Sequence, residues 1–125
     1  MERKKTILLV EDDSGCRNLM SIVLSRARYE VIAVADGETA LDPNTGAHTV
    51  DLIIMDLQLP GLNGAAVVEK LKSNTATKHI PVIVTTSADR DSPLVQQAIA
   101  AGADKILYKP TPMDLVMKEV NRYAG

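Results

Sequence analysis

Short aliphatic runs and amphipathic segments take turns along this chain. Residues 5–10, 29–34, 51–56, 80–86 and 105–108 are rich in Ile, Leu and Val over lengths that suit strands. Leu52-Ile53-Ile54-Met55 lacks the period-two alternation of a half-exposed strand, so it is expected to be covered on both faces, as in a parallel sheet. Pro60 and Gly61 then end that segment and force a loop. Pro81 is tolerable at the start of the fourth run.

The segments between these runs carry helical spacing. Ser14, with Asp13 beside it, is expected to cap a helix over residues 15–27, with Cys16, Leu19, Met20, Val23, Leu24 and Ala27 as its apolar stripe. Ile22 falls roughly 130° away from that stripe and is expected to be exposed, a candidate contact point for a partner. A second helix starts near Glu38, and Asp42-Pro43-Asn44-Thr45-Gly46 cuts it into an irregular segment. A third covers residues 64–73, with Val67, Val68 and Leu71 inward, followed by a polar loop to His79. Ser92 and Pro93 suit the cap and first turn of a fourth, which Gly102 stops. Thr111-Pro112-Met113-Asp114 reads as a capping box for a fifth, whose stripe is Met113, Val116, Met117, Val120 and Ala124, with Leu115 off it. Strands alternating with helices predict an α/β fold: right-handed crossovers and a five-stranded parallel sheet between two helical layers.

Composition narrows the function. At 125 residues the chain is one domain, and no apolar run approaches a membrane span. The run from Ile7 to Val10 is too short for a signal-peptide core, so a cytoplasmic protein is expected, with no membrane partner. A net charge of −2, no basic stripe, no Trp or Phe and three scattered Tyr argue against nucleic acid. Cys16 is the only cysteine, which excludes an internal disulfide; it is expected to pack in the core. His48 and His79 lie in polar segments and are expected at the surface. There is no phosphoacceptor-His helix and no nucleotide-binding glycine motif, so the chain is not read as a kinase.

The chemistry lies at the strand ends. Glu11, Asp12 and Asp13 follow the first strand, Asp56 ends the third, Thr85 and Thr86 end the fourth, and Lys109 follows the fifth. In a parallel sheet these ends converge on one edge, where open α/β sheets bind ligands. Packed carboxylates repel one another unless a cation joins them, and a hard divalent ion with oxygen ligands, Mg²⁺ above all, resolves this. Such an ion would align an incoming phosphoryl group with Asp56. Lys109 could hold one phosphoryl oxygen, and a Thr hydroxyl another. Asp56 then becomes a nucleophile able to form an acyl phosphate. Taken singly, each residue has a plainer reading as a cap, a turn or a solvated charge; the joint placement at four strand ends outweighs it.

On Ile7-Leu8-Leu9-Val10-Glu11-Asp12-Asp13, residues 55–64, Pro81-Val82-Ile83-Val84-Thr85-Thr86, and residues 102–110, the whole chain resembles a receiver domain of the two-component response regulators, the CheY-like family. The resemblance implies a flavodoxin-like, doubly wound sheet of order 2-1-3-4-5 with five helices in two layers. It implies that residues 1–125 are a single receiver domain with no output domain in this chain. It implies that Asp56 accepts a phosphoryl group from the phosphohistidine of a sensor histidine kinase or a histidine phosphotransfer protein. Asp12 would touch Mg²⁺ directly and Glu11 through water, Asp56 would join them, and the Gln58 backbone carbonyl would complete the metal ligands. The hydroxyl position falls on Thr86 rather than Thr85, and small Ser87 beside it leaves the phosphoryl group accessible. Lys109 completes the set. The resemblance further implies a phosphoacceptor domain that assists its own Mg²⁺-dependent phosphorylation and dephosphorylation and is not otherwise an enzyme.

Two positions depart from the family pattern. Ile106 stands where a Tyr or Phe usually couples the site to the face of helix four, strand five and helix five, and residues 43–46 interrupt helix two. The expected output is a partner reading that face, a phosphorylation-dependent dimer, or onward transfer to a His of another protein. Two alternatives stay open. One is a receiver-like interaction scaffold that is not phosphorylated, which the complete set Asp56, Thr86 and Lys109 disfavours. The other is an Asp-nucleophile phosphatase, which would want a second Asp where Gln58 stands.

Overall fold

A computed structural model describes residues 4–45 and 47–125. Five strands and five helices alternate: β1 (Thr6–Val10), α1 (Ser14–Arg26), β2 (Glu30–Val34), α2 (Gly37–Leu41), β3 (Leu52–Asp56), α3 (Gly64–Ser73), β4 (Val82–Thr86), α4 (Pro93–Ala101), β5 (Lys105–Tyr108) and α5 (Met113–Ala124). All strand pairs are parallel, and the order across the sheet is β2-β1-β3-β4-β5. The fold is the doubly wound α/β sheet that the sequence pattern predicts.

The absence of alternation in β1 and β3 has its cause here. Leu8, Val10, Ile53 and Met55 point to one face of the sheet and pack with α2, α3 and α4; Ile7, Leu9, Leu52 and Ile54 point to the other and pack with α1 and α5. Every second residue therefore serves a different core. Each fully buried Leu or Ile contributes about 1.5–3 kcal/mol, so the central strands anchor the sheet and fix their own carboxyl ends.

α1 departs from expectation. Its stripe is rotated: Cys16, Leu19 and Ala27 are exposed, Leu19 at 57%, while Arg17, Met20 and Ser21 turn partly inward above buried Leu24. Two polar contacts set that rotation. The N-cap is Asp13, not Ser14, and its carboxylate accepts the Cys16 backbone N–H at 2.7 Å. Arg17 donates to the carbonyls of Glu11 at 2.8 Å and Asp12 at 3.3 Å, which turns its own side of the helix toward the sheet. Ile22 is exposed at 51%, as its spacing predicts.

α2 is short, capped by Asp36, and the segment after it forms two 3-10 turns, Pro43–Thr45 and Ala47–Thr49; Gly46 lies outside the described residues. α3 buries Val67, Val68 and Leu71. α4 ends at Gly102, whose φ of 108° is the left-handed conformation that stops a helix. α5 buries Val116, Val120 and Ala124, and Leu115 is exposed. It has no capping box. Its N-cap is Pro112, and the Thr111 hydroxyl instead donates to the Tyr108 carbonyl at 2.7 Å. Ser92 likewise makes no side-chain cap bond to α4. His48 and His79 are exposed.

Candidate functional site

The parallel strands bring Glu11, Asp56, Thr86 and Lys109 to one edge of the sheet. β1 runs into Glu11, whose backbone N–H donates to the Val34 carbonyl at 3.0 Å. Glu11 is 8% exposed, Asp56 at the end of β3 is 6% exposed, and Asp12 is open to solvent. One oxygen from each of Glu11, Asp12 and Asp56 lies within 4.8 Å of the others, the spacing of a cation site. Asp13, the third acid of that turn, is spent on capping α1. The Cys16 N–H holds its carboxyl below the usual carboxylate range.

Both oxygens of Asp56 are held. Oδ1 accepts the Gln58 backbone N–H at 3.0 Å, and Oδ2 accepts Lys109 Nζ at 2.9 Å. Lys109 also lies 3.7 Å from Glu11 Oε1. The Lys109 backbone N–H donates to the Thr86 carbonyl at 2.7 Å, which ties the end of β5 to the end of β4. Gly64 allows α3 to start against this strand end, because a Cβ there would sit 2.7 Å from the Asp56 carbonyl oxygen.

The charges do not balance. Burial first, and then the charge of Asp56, raise Glu11 from the ordinary 4.5 to about 7. Burial alone would lower Lys109, but the Asp56 hydrogen bond and charge, joined by Glu11, outweigh it and keep the ammonium charged beyond its usual range. One Lys thus faces two largely buried carboxylates and a third, exposed one. Such a cluster favours the entry of a further cation.

On β4 the two threonines separate. Thr85 pairs with Asp56 in register and its carbonyl accepts the Leu57 N–H at 2.9 Å. Thr86 is fully buried, donates its hydroxyl to Gln58 Oε1 at 3.1 Å, and accepts the Ala88 N–H at 3.0 Å. Ser87 is exposed beside it. Ile106 is partly buried against the α3–α4 core, and the aromatic ring on this strand is Tyr108, which pairs with Thr86 and carries the Arg90 guanidinium 5.2 Å from its centroid.

Sequence reasoning missed Arg17 and the side chain of Gln58. Arg17 holds both carbonyls of the acidic turn, and a basic residue one turn into the helix after an acidic run was the available signal. The Gln58 contact spans residues 58 and 86 and depends on a side-chain rotamer, so no local pattern announces it.

Comparison with known proteins agrees with this geometry. Residues 7–121 match the model of the response regulator receiver domain. A cyclic di-GMP phosphodiesterase of Thermotoga maritima is 33% identical over 115 residues, which is 92% of this chain and 30% of that protein. The chain therefore spans about a third of that relative's length. The chemotaxis protein CheY4 of Vibrio cholerae superposes with a TM-score of 0.85 at 30% identity, covering 97% of this chain and 99% of that one. The receiver domain of the sensor histidine kinase PA1611 from Pseudomonas aeruginosa, solved with a magnesium ion in its active-site cleft, gives 0.84 at 26% identity over 97% and 98% of the two chains. This chain belongs to the response regulator receiver domain family, the CheY-like domains of two-component signalling.

Proposed function

We propose that this receiver is a phosphorylation switch in which Asp56 accepts a phosphoryl group from the phosphohistidine of a sensor histidine kinase or a histidine phosphotransfer protein. The observation that carries the reading is the double grip on Asp56, by the Gln58 N–H on one oxygen and Lys109 on the other, beside Glu11 and Asp12. The donor set fits Mg²⁺: Glu11, Asp12 and Asp56 offer hard oxygens within 4.8 Å of one another, and the Gln58 carbonyl can add a fourth ligand. The bound ion would supply charge neutralisation for the phosphoryl oxygens; a neighbouring receiver domain holds a magnesium ion in its active-site cleft.

The remaining work falls to the chain. An Asp56 oxygen forms the new O–P bond while the donor's N–P bond breaks and its imidazole leaves with the electron pair. Lys109 exchanges its carboxylate contact for a phosphoryl oxygen, and the Thr86 hydroxyl donates to another. The change is a population shift, limited by how much better the active state binds the phosphoryl group. It is read by a downstream protein on the α4–β5–α5 face, where Ile99 and Leu115 are exposed, or by a dimer formed there. This role calls for a cytoplasmic location; no helix among the described residues is long and apolar enough to cross a membrane.

Incubation with Mg²⁺ and acetyl phosphate should add one labile phosphoryl group by intact mass, and Asp56→Asn should abolish it. Lys109→Ala should keep the modification and weaken the response. An Asp56→Asn protein that still gains the group would overturn the assignment.

A further inference from the structure

Thr86 brings to the site a hydrogen-bond donor whose one proton is already committed. Its buried hydroxyl donates to Gln58 Oε1 at 3.1 Å, while the Ala88 N–H occupies a lone pair of the same oxygen at 3.0 Å. A hydroxyl owns a single O–H, so that proton serves one acceptor at a time. Gln58 is exposed and stands two residues beyond Asp56, whose Oδ1 its backbone N–H holds at 3.0 Å. The same residue therefore grips the carboxylate through its main chain and the hydroxyl through its side chain.

We propose that the Gln58 carboxamide is a latch: it keeps the Thr86 proton until a phosphoryl oxygen on Asp56 takes it. This rests on Asp56 being the phosphoacceptor. Gln58 is then a positioning residue, acting through Thr86 and setting how far the unphosphorylated domain is held in its resting state. Because the latch is exposed, water takes over the vacated carboxamide oxygen when it opens, and the exchange is close to balanced. Removing the latch should favour the phosphorylated arrangement by roughly three- to tenfold, the scale of one neutral hydrogen bond.

The test uses the full chain with Mg²⁺ and beryllofluoride as the phosphoryl mimic, titrated by backbone-amide NMR, together with scalar couplings that report the Thr86 χ1 rotamer in the free protein. Wild type should show one Thr86 rotamer, and Gln58→Met should average it and bind beryllofluoride roughly three- to tenfold more tightly. Gln58→Ala, which lacks even a thioether, should repeat the result. In a Thr86→Val background the Gln58→Met change should shrink to within about twofold, because the partner hydroxyl is gone. Unchanged affinity in Gln58→Met, or the same tightening in the Thr86→Val background, would overturn the latch. Beryllofluoride binding that fails in wild type, or survives Asp56→Asn, would overturn the phosphoacceptor reading instead; the free-protein couplings then decide by themselves whether Gln58 holds Thr86.

Discussion

The two halves of the site are built differently. On the β1–β3 side, Glu11 and Asp56 are largely buried and share Lys109, and the Glu11–Asp12 turn is braced by Arg17 through two carbonyls. On the β4 side, Thr86 has a fixed backbone but a hydroxyl resting on one exposed carboxamide. The first half is a charge cluster with several mutual restraints, where small chemical changes are costly. The second half rests on one neutral hydrogen bond, which the proposed switch would give up for a phosphoryl oxygen, so small changes there should move populations. The phosphorylation switch proposed above would need both: a fixed place for the chemistry and a cheap motion to report it.

The sharpest way to break the contrast is to make conservative changes on each side. Asp12→Asn keeps the shape of the acidic turn but replaces a charged oxygen with a neutral one in the proposed ligand set, and Mg²⁺ affinity measured by calorimetry should fall on the order of a hundredfold. Arg17→Met leaves all three carboxylates in place and frees the carbonyls of Glu11 and Asp12; the loss there should be roughly tenfold. A Mg²⁺ affinity unmoved by Arg17→Met would mean that the turn holds itself.

Glu11 gives a pH-dependent version. Its carboxyl is raised from 4.5 to about 7, so between those values the folded protein binds more protons than the unfolded chain and stability falls as pH rises. The cost is complete above about 7 and absent below about 4.5. In a chelating buffer, Glu11→Gln should therefore melt a few degrees above wild type at about pH 8, with the gap closing towards pH 4 and also on adding Mg²⁺. A gap independent of pH would place its origin elsewhere. The smallest effect belongs to the other half. Thr86→Ser keeps the O–H and should cost only about 1 kcal/mol for the buried methyl, read by urea unfolding, with phosphorylation by acetyl phosphate retained.

The same contrast explains what was legible in the sequence. Uniform Ile and Leu in β1 and β3 announce strands buried on both faces, and the parallel sheet then carries their terminal acids to one edge. Pro93, Gly102 and the Pro43 segment punctuate the chain by backbone rules that hold in any context. The facing of α1 was not legible, because Cys16 and Leu19 satisfy an apolar stripe as well as Met20 does; the Arg17 bonds to the acidic turn decide the rotation. Capping at Thr111 failed because α5 begins one residue later than the box requires, with Pro112 at the N-cap and Thr111 outside it. The Gln58–Thr86 contact joins side chains from different strands, which only the assembled sheet brings together.

The rotation of α1 has a practical corollary. It leaves Cys16 at the surface, on the first turn beside the acidic cluster, as the one thiol in a chain without tryptophan. A maleimide dye would therefore attach at a single address, next to where Mg²⁺ and phosphate analogues should gather, against a background free of indole emission. The wild-type protein carries its own handle for watching ligand arrival in real time.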